Sequence, residues 1–245
     1  MIEKRTGRQT AKAAEETRRE ILIAAADLFS DKGYAAVSLR GISEQAGVSH
    51  TLIRHHFGSK LQIWQHICDC MHLHFQEYVN QLVAQQGKDL SSRHQLFDLL
   101  TRLLAKLQVD PQPIRLLNDA VKNEQELFEY FLEEEDQVRD IIDALVEKCQ
   151  QQGYLKHFNI GELKWLLTIF ATSSTTLAPL LAKPYPGETR DYCQLKSWKM
   201  FSLLLASQLD IAESDIPQPK HLRELVIEIP PCSFAVNKEE QEKTT

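Results

Sequence analysis

An all-α fold, a small helix-turn-helix head followed by a larger helical body, follows from three observations. Apolar residues recur at i, i+3, i+4 and i+7 through most of the 245 residues, the spacing of one helix face. Capping residues, glycine and proline punctuate these runs, and no alternating run is long enough for a sheet. Between Ser38 and Phe57, two short helical stretches flank Gly47-Val48-Ser49, a tight turn with an apolar pin.

Taken in order, residues 1–16 are polar, carry Lys4, Arg5, Arg8 and Lys12, and read as a flexible basic arm. Thr17-Arg18-Arg19-Glu20 is a capping box. It predicts a helix to about Lys32 with Ile21, Ala25, Leu28 and Phe29 as its stripe, stopped by Gly33. Ser38 caps a helix bearing Leu39, Ile42 and Ala46; Ser49 caps the next, with Leu52, Ile53, His56 and Phe57 on its mixed face and Gly58 at its end. Residues 17–58 thus form the head, with the motif at 38–57.

The body is expected over 59–211. Ser59-Lys60-Leu61-Gln62 opens a helix unbroken until Gly87, with Trp64, Ile67, Met71, Phe75, Tyr78 and Leu82 facing a core. Ser92-x-x-Gln95 opens another, ending near Gln108 and carrying Leu96, Leu99, Leu100, Leu103 and Leu107. Asp110-Pro111 starts a third through Ile114, Leu117 and Val121. Asn123-x-x-Glu126 predicts one long helix through Leu127, Phe131, Val138, Ile142 and Cys149 to Gly153. Asn159-x-x-Glu162 opens the next, to about Ala182, and after the Pro184–Gly187 turn a last helix spans roughly Thr189 to Leu209. That makes about nine helices. From Ala212 the prolines at 217, 219, 230 and 231 predict an irregular tail, 212–245, in which Leu225 to Ile229 packs as an extended piece.

The net charge is −6, but it is unevenly spread: residues 1–60 hold +3 and residues 61–245 hold −9. A basic motif end on an acidic body suits a nucleic-acid-binding head. Five cysteines without a CxxC pair suit a reducing compartment. No apolar run approaches a spanning helix and no signal peptide is evident, so no membrane partner and a cytoplasmic location are expected. Signatures of hydrolases, zinc proteases, phosphate-binding loops and dinucleotide sites are missing, so no catalytic residues and no cofactor are expected. His66, Cys70 and His74 at i, i+4, i+8 raise a metal-site reading. At 100° per residue, however, His66 lies roughly 160° and His74 about 80° from the core direction, so no shared metal site is expected.

The stretch A-G-V-S-x-x-x-I-R-H-H-F-G-S-K, Ala46 to Lys60, resembles the DNA-binding signature of TetR-family regulators. It departs from the family pattern at Arg54, where Tyr is usual, and at Thr51-Leu52, where Gly-Thr is frequent. The second motif helix would enter the major groove, with His50, Thr51 and Arg54 on base edges. Ser38, Arg40, Ser49, His55 and Lys60 are assigned to phosphates, because hydroxyls, cations and helix N-termini hold the backbone without reading sequence. Gly41 inside a predicted helix is explained by close approach to the first helix or to DNA, or is a tolerated cost.

The helix at 159–182 has an apolar seam (Leu163, Leu167, Phe170, Leu177, Leu181) beside a stripe of Trp165, Thr168, Thr172 and Thr176, and Met200 to Ala206 is apolar nearly all round. A homodimer through the last two long helices answers both, and the resemblance implies the same. The resemblance also implies a body cavity for a small-molecule effector, with Arg115, Asn118, Trp165, Thr168 and Thr172 as candidate polar groups. The resulting expectation is a homodimeric, ligand-responsive repressor on a near-palindromic double-stranded DNA operator. Its rivals are a protein of the same fold that works through a protein partner without an effector, and an interaction module whose head only looks like a DNA reader.

Overall fold

The structure is a computed structural model that describes residues 3–230 apart from 88, 124 and 134–136, with the side chains of 3–12, 123, 125, 132–133 and 137 outside the description. Its described residues form eleven α-helices and no strand: α1 (Glu3–Lys32), α2 (Leu39–Ala46), α3 (His50–Phe57), α4 (Lys60–Gln85), α5 (Ser92–Val109), α6 (Gln112–Asn123), α7 (Gln125–Glu133), α8 (Gln137–Gln151), α9 (Ile160–Thr172), α10 (Ala178–Ala182) and α11 (Arg190–Leu209). Two 3-10 turns follow, Glu213–Asp215 and Leu222–Leu225. The chain divides into two compact units. One takes the chain to His74 with Asp119–Leu132; the other takes Phe75–Asn118 and Glu133–Ile229. The division between these units lies inside α4, after His74.

In the first unit, α1 starts at Glu3 and not at Thr17. The Thr17 hydroxyl donates to the Ala13 carbonyl one turn back at 3.0 Å, the bond of a helix interior and not of a cap. Ala11-Lys12-Ala13-Ala14-Glu15-Glu16 is a run of strong helix formers, and it carries the helix through the residues read as a flexible arm. The side chains of Lys4, Arg5, Arg8 and Lys12 lie outside the described residues. Ile21, Leu22, Ala25 and Phe29 of α1 are buried, as are Ile42 of α2, Ile53 and Phe57 of α3, and Ile63, Trp64 and Ile67 of α4. This core holds the two motif helices.

Gly33 ends α1 at φ 82° and permits a close approach that no other residue would. A Cβ there would lie 2.6 Å from Asp119 Oδ1, while Asp119 Oδ2 accepts the Tyr34 N–H at 2.6 Å. The first unit gains a second tie at α7, where the Tyr130 hydroxyl donates to Asp69 at 2.6 Å and its ring meets Trp64 edge-on.

The second unit is built on α5, where Leu96, Leu99, Leu100, Leu103 and Leu107 are buried as the spacing predicts. Buried Trp198 of α11 donates its indole N–H to the Thr101 carbonyl at 2.8 Å. Gln108 Nε2 reaches the Phe170 carbonyl and Ser197 Oγ, and Gln194 Nε2 returns to the Gln108 carbonyl, so α5, α9 and α11 are cross-linked by polar contacts. Ser91, not Ser92, is the residue before α5; its hydroxyl meets His94 Nδ1 and makes no cap bond. Cys68, Cys70, Cys149 and Cys193 are buried, and burial pushes the pKa of the Cys149 thiol up to about 11. Cys232 lies outside the described residues.

Two expectations change here, and a third is left open: the helix expected from Asn123 to Gly153 is described as α7 and α8 on either side of residues 134–136, which, like the Asn123 side chain, lie outside the described residues. The helix from Asn159 keeps its full capping box but stops at Thr172. Ser173, Ser174 and Thr175 turn their hydroxyls back onto the carbonyls of Phe170, Ala171 and Thr172, the local bonding by which such residues compete with a helix. Finally, Val121 is 61% exposed, and α6 instead buries Ile114, Leu116 and Ala120.

The segment after Ala212 is irregular but docked. Ile216 and Leu222 are buried in the α5 core, Arg102 Nε donates to the Leu225 carbonyl at 3.0 Å, and Val226, Ile227 and Ile229 pack against the same core. The expected packing of 225–229 is thus observed, with Leu225 closing a 3-10 turn. Residues 231–245 of the expected tail lie outside the described residues.

Gly33→Ala and Gly47→Ala should differ measurably. Both force a side chain into left-handed backbone at a cost of about 1 kcal/mol, and Gly47 at φ 67° has nothing within 4 Å of a new Cβ. At Gly33, Asp119 yields only by releasing Tyr34 N–H, so a loss of roughly 2–3 kcal/mol is expected in urea unfolding.

Candidate nucleic-acid interface

Helix α3 owes its start to Ser49, whose Oγ accepts the Leu52 N–H at 3.2 Å, and its end to Gly58 at φ 72°. Ile53 and Phe57 are buried and fix the helix by one stripe, which leaves His50, Thr51, Arg54 and His55 exposed along the other side. Three of the expected base-reading residues thus share one accessible face with His55. Leu52 is half-buried. His56 is held below its ordinary pKa by burial, by His55 and by Arg18, so it stays neutral at neutral pH.

The residues assigned to phosphates separate into two groups. Ser38 Oγ accepts the Gly41 N–H at 3.1 Å, and Ser49 Oγ accepts that of Leu52. Both serines are exposed, and each retains its hydroxyl proton for an acceptor such as a phosphate oxygen. Arg40 is fully exposed and paired with Glu44 at 2.9 Å, which raises its pKa through the hydrogen bond and then the charge. It would have to exchange that partner to meet DNA.

Lys60 does not stand ready for phosphate. Its Nζ donates to the carbonyls of Tyr34 at 2.9 Å and Val37 at 3.0 Å and sits 4.0 Å from the centroid of the Tyr34 ring. A cation that satisfies two loop carbonyls and stacks on an aromatic face is a structural tie. Among the residues assigned to phosphates, Lys60 is thus one whose charge already serves protein atoms. The sequence gives little hint of it, because the partners lie 23 and 26 positions away.

Arg18, taken only as part of a capping box in the sequence, lies with its guanidinium 4.9 Å from the Phe57 centroid and 3.2 Å from His66 Nε2. It braces the end of α3 against α1 and α4. With Cys70 buried and His66 engaged by Arg18, the i, i+4, i+8 set is not assembled; among the described residues no group of three potential ligands is placed to hold a metal ion. At Gly41 a Cβ would meet only Ser38 Oγ at 3.6 Å, so close packing onto α1 does not explain the glycine.

In the second unit, a cleft of about 690 Å³ opens between the α5–α6 corner, the start of α11 and the Leu222–Leu225 turn. Of the five candidate effector residues, only Arg115 lines it. Asn118 spends its amide on Thr175 and Thr176, Thr168 bonds to the Lys164 carbonyl, and Trp165 is 67% exposed. Thr172 is half-buried and is not among the residues that line the cleft. Helix α9 keeps Trp165, Thr168 and Thr172 on one continuous helix, and of that stripe only Thr176 lies beyond its end. Lining residues missed from sequence include Gln108, Arg190, His221 and Arg223, which come together only through the fold.

The geometry of α1 to α3, with an exposed polar face on a capped second motif helix, defines a helix-turn-helix domain. Residues 21–67 match the family of bacterial regulatory proteins described as tetR. Over these residues the head of this chain is similar to that family. A transcriptional repressor of Mycobacterium tuberculosis is 33% identical over 116 residues, 47% of this chain and 58% of that protein. The transcriptional activator FasR of Mycolicibacterium smegmatis is 31% identical over 117 residues, 45% of this chain and 50% of that one. The chain thus spans little more than half the length of these relatives. Among solved structures, the transcriptional regulator FadR of Bacillus subtilis in complex with stearoyl-CoA has a TM-score of 0.60 at 18% identity, covering 78% of this chain and 98% of that one. FadR of Bacillus halodurans gives 0.54 at 15%, covering 80% and 97%. Those two likenesses establish the fold alone. No described helix is long and apolar enough to cross a membrane.

Lys60→Ala should destabilise the first unit by about 2 kcal/mol in urea unfolding, because two loop carbonyls lose their donor. Arg54→Ala, on the exposed face, should stay within about 0.5 kcal/mol of the parent.

Proposed function

We propose that the protein is a homodimeric regulator of transcription, acting as a repressor on a near-palindromic operator, with α3 of each copy in successive major grooves about 34 Å apart. The observation that carries this reading is the face of α3: His50, Thr51 and Arg54 are exposed, while Ile53 and Phe57 anchor the helix behind them. Arg54 pairs bidentately with a guanine and His50 bonds to a base acceptor. Ser38, Ser49 and His55 position the domain on phosphates, with Arg40 joining once it leaves Glu44. Relatives named as a repressor and as an activator support the class, and the choice of repression is part of the proposal.

Dimerisation is supported by apolar side chains that the single chain leaves exposed on its last helices. Met200 is 51% exposed and Leu204 49%, with Leu203 between them on the same stripe of α11, and Leu180 of α10 and Trp165 of α9 are exposed as well. Burying what each still exposes is worth about 1 kcal/mol, and the set repeated on both copies favours association through a helix bundle. Effector control is supported by the cleft in the second unit and by the stearoyl-CoA bound to a protein of this architecture. An open, charged cleft favours a sensor over the effector-free rival. Helix α4, which contributes to both units, carries the coupling, of order 1–3 kcal/mol.

Selection of bound sequences from random DNA should return inverted repeats, and log affinity should fall steeply with log salt, by about 0.9 per phosphate contact. Arg54→Ala should cost about 1–3 kcal/mol and relax preference at one base pair of each half-site. Random, salt-insensitive recovery rejects the DNA reading. Met200→Glu with Leu204→Glu should sediment as monomer and weaken operator binding roughly a hundredfold or more, because the second half-site no longer binds intramolecularly.

A further inference from the structure

The cleft of the second unit has a distinct chemistry. Three guanidinium side chains line it from three separate elements: Arg115 on α6, Arg190 in the first turn of α11 and Arg223 on the 3-10 turn. Arg190 donates one N–H to the Ser174 carbonyl at 2.7 Å, which fixes its stem and leaves further donors. Among the described residues, neither Arg190 nor Arg223 forms an ion pair, even with the two carboxylates of the lining, Asp191 and Glu224. Glu224 instead accepts the backbone N–H of Lys220 at 3.2 Å. Arg190 and Arg223, brought to one cleft without an ion pair of their own, repel one another, and a bound anion removes that cost. The N-terminus of the 20-residue α11, capped by Thr189, adds its dipole to the same wall.

A second observation is independent of charge. Gln108 lines the cleft and is 1% exposed, and both N–H groups of its amide are used, toward Phe170 and Ser197. Its side-chain oxygen is buried without any hydrogen-bond donor. Such an acceptor costs roughly 1–3 kcal/mol until a donor reaches it. Guanidiniums on the walls and an unsatisfied carbonyl within one lining residue call for a ligand that is anionic at one end and carries a hydroxyl or N–H. Val109, Pro111 and Leu222 supply the apolar surface between.

We infer that this cleft binds a small hydroxylated acid, a carboxylate or phosphate held by Arg115, Arg190 and Arg223, whose hydroxyl donates to Gln108 Oε1. The inference builds on the reading of the second unit as a sensor, and binding is measured without DNA so that its failure and the failure of operator binding are separate results. Calorimetric titration of the full chain with gluconate and with glucose 6-phosphate distinguishes the two acidic groups, and glucose serves as the neutral control. One or both acids should bind at least about tenfold more tightly than glucose. Arg223→Glu, an exposed change with no bond to lose, should weaken that binding about tenfold or more while the helical circular dichroism and Tm stay the same. Lys183→Glu, an equal charge change away from the cleft, should alter it by no more than about twofold, and so should Arg54→Ala in the head. Equal losses in Arg223→Glu and Lys183→Glu, loss in Arg54→Ala, or no acid bound at about 10 mM overturns the inference.

Discussion

The short loop between Gly33 and Ser38 governs the first unit. It is held from two sides by charged groups: Lys60 donates to the carbonyls of Tyr34 and Val37, and Asp119 accepts the N–H of Tyr34. Neither tie belongs to the motif, yet the loop ends at Ser38, the cap that starts α2, and α2 sets the direction of α3 through Gly47. A recognition surface needs its side chains at fixed spacing and angle, and eight-residue helices have little stiffness of their own. The head therefore draws its rigidity from the buried stripe of Ile42, Ile53 and Phe57 and from a backbone pinned by ions at the loop.

Much of this was legible in the sequence because local chemistry specified it. Ser38, Ser49 and Asn159 act as caps where the pattern placed them, and Gly33, Gly47, Gly58 and Gly153 turn the chain at positive φ. The leucines of α5 are buried as their spacing requires. Errors arose where the same residue type serves two purposes. Thr17 can cap a helix or back-bond within one, and upstream helix formers, not the capping pattern, decided between them. Five consecutive hydroxyl residues from Thr172 read as a helix face, but their side chains compete with backbone amides for the carbonyls, and the helix ends there.

The site divides in the same way. The exposure of His50, Thr51 and Arg54 is legible because one short helix with a buried anchor stripe determines which side chains remain outside. The ties of Lys60 are not, because its partners are distant in sequence and are backbone atoms, which leave no pattern. The cleft residues were almost wholly hidden. Gln108, Arg115, Arg190 and Arg223 come from four segments, and their shared environment exists only after α5, α6, α11 and the last turn have packed. A stripe argument along a single helix selected Trp165, Thr168 and Thr172, and missed them.

The docked segment after α11 makes one wall of the cleft from residues that carry little of the core. Leu222 is its buried anchor, whereas His221, Arg223 and Glu224 are exposed around it. A substitution at those three positions alters what the cleft admits without repacking a helix. The helices thus fix the frame of the cleft, while a short terminal turn supplies side chains that can be exchanged without disturbing that frame.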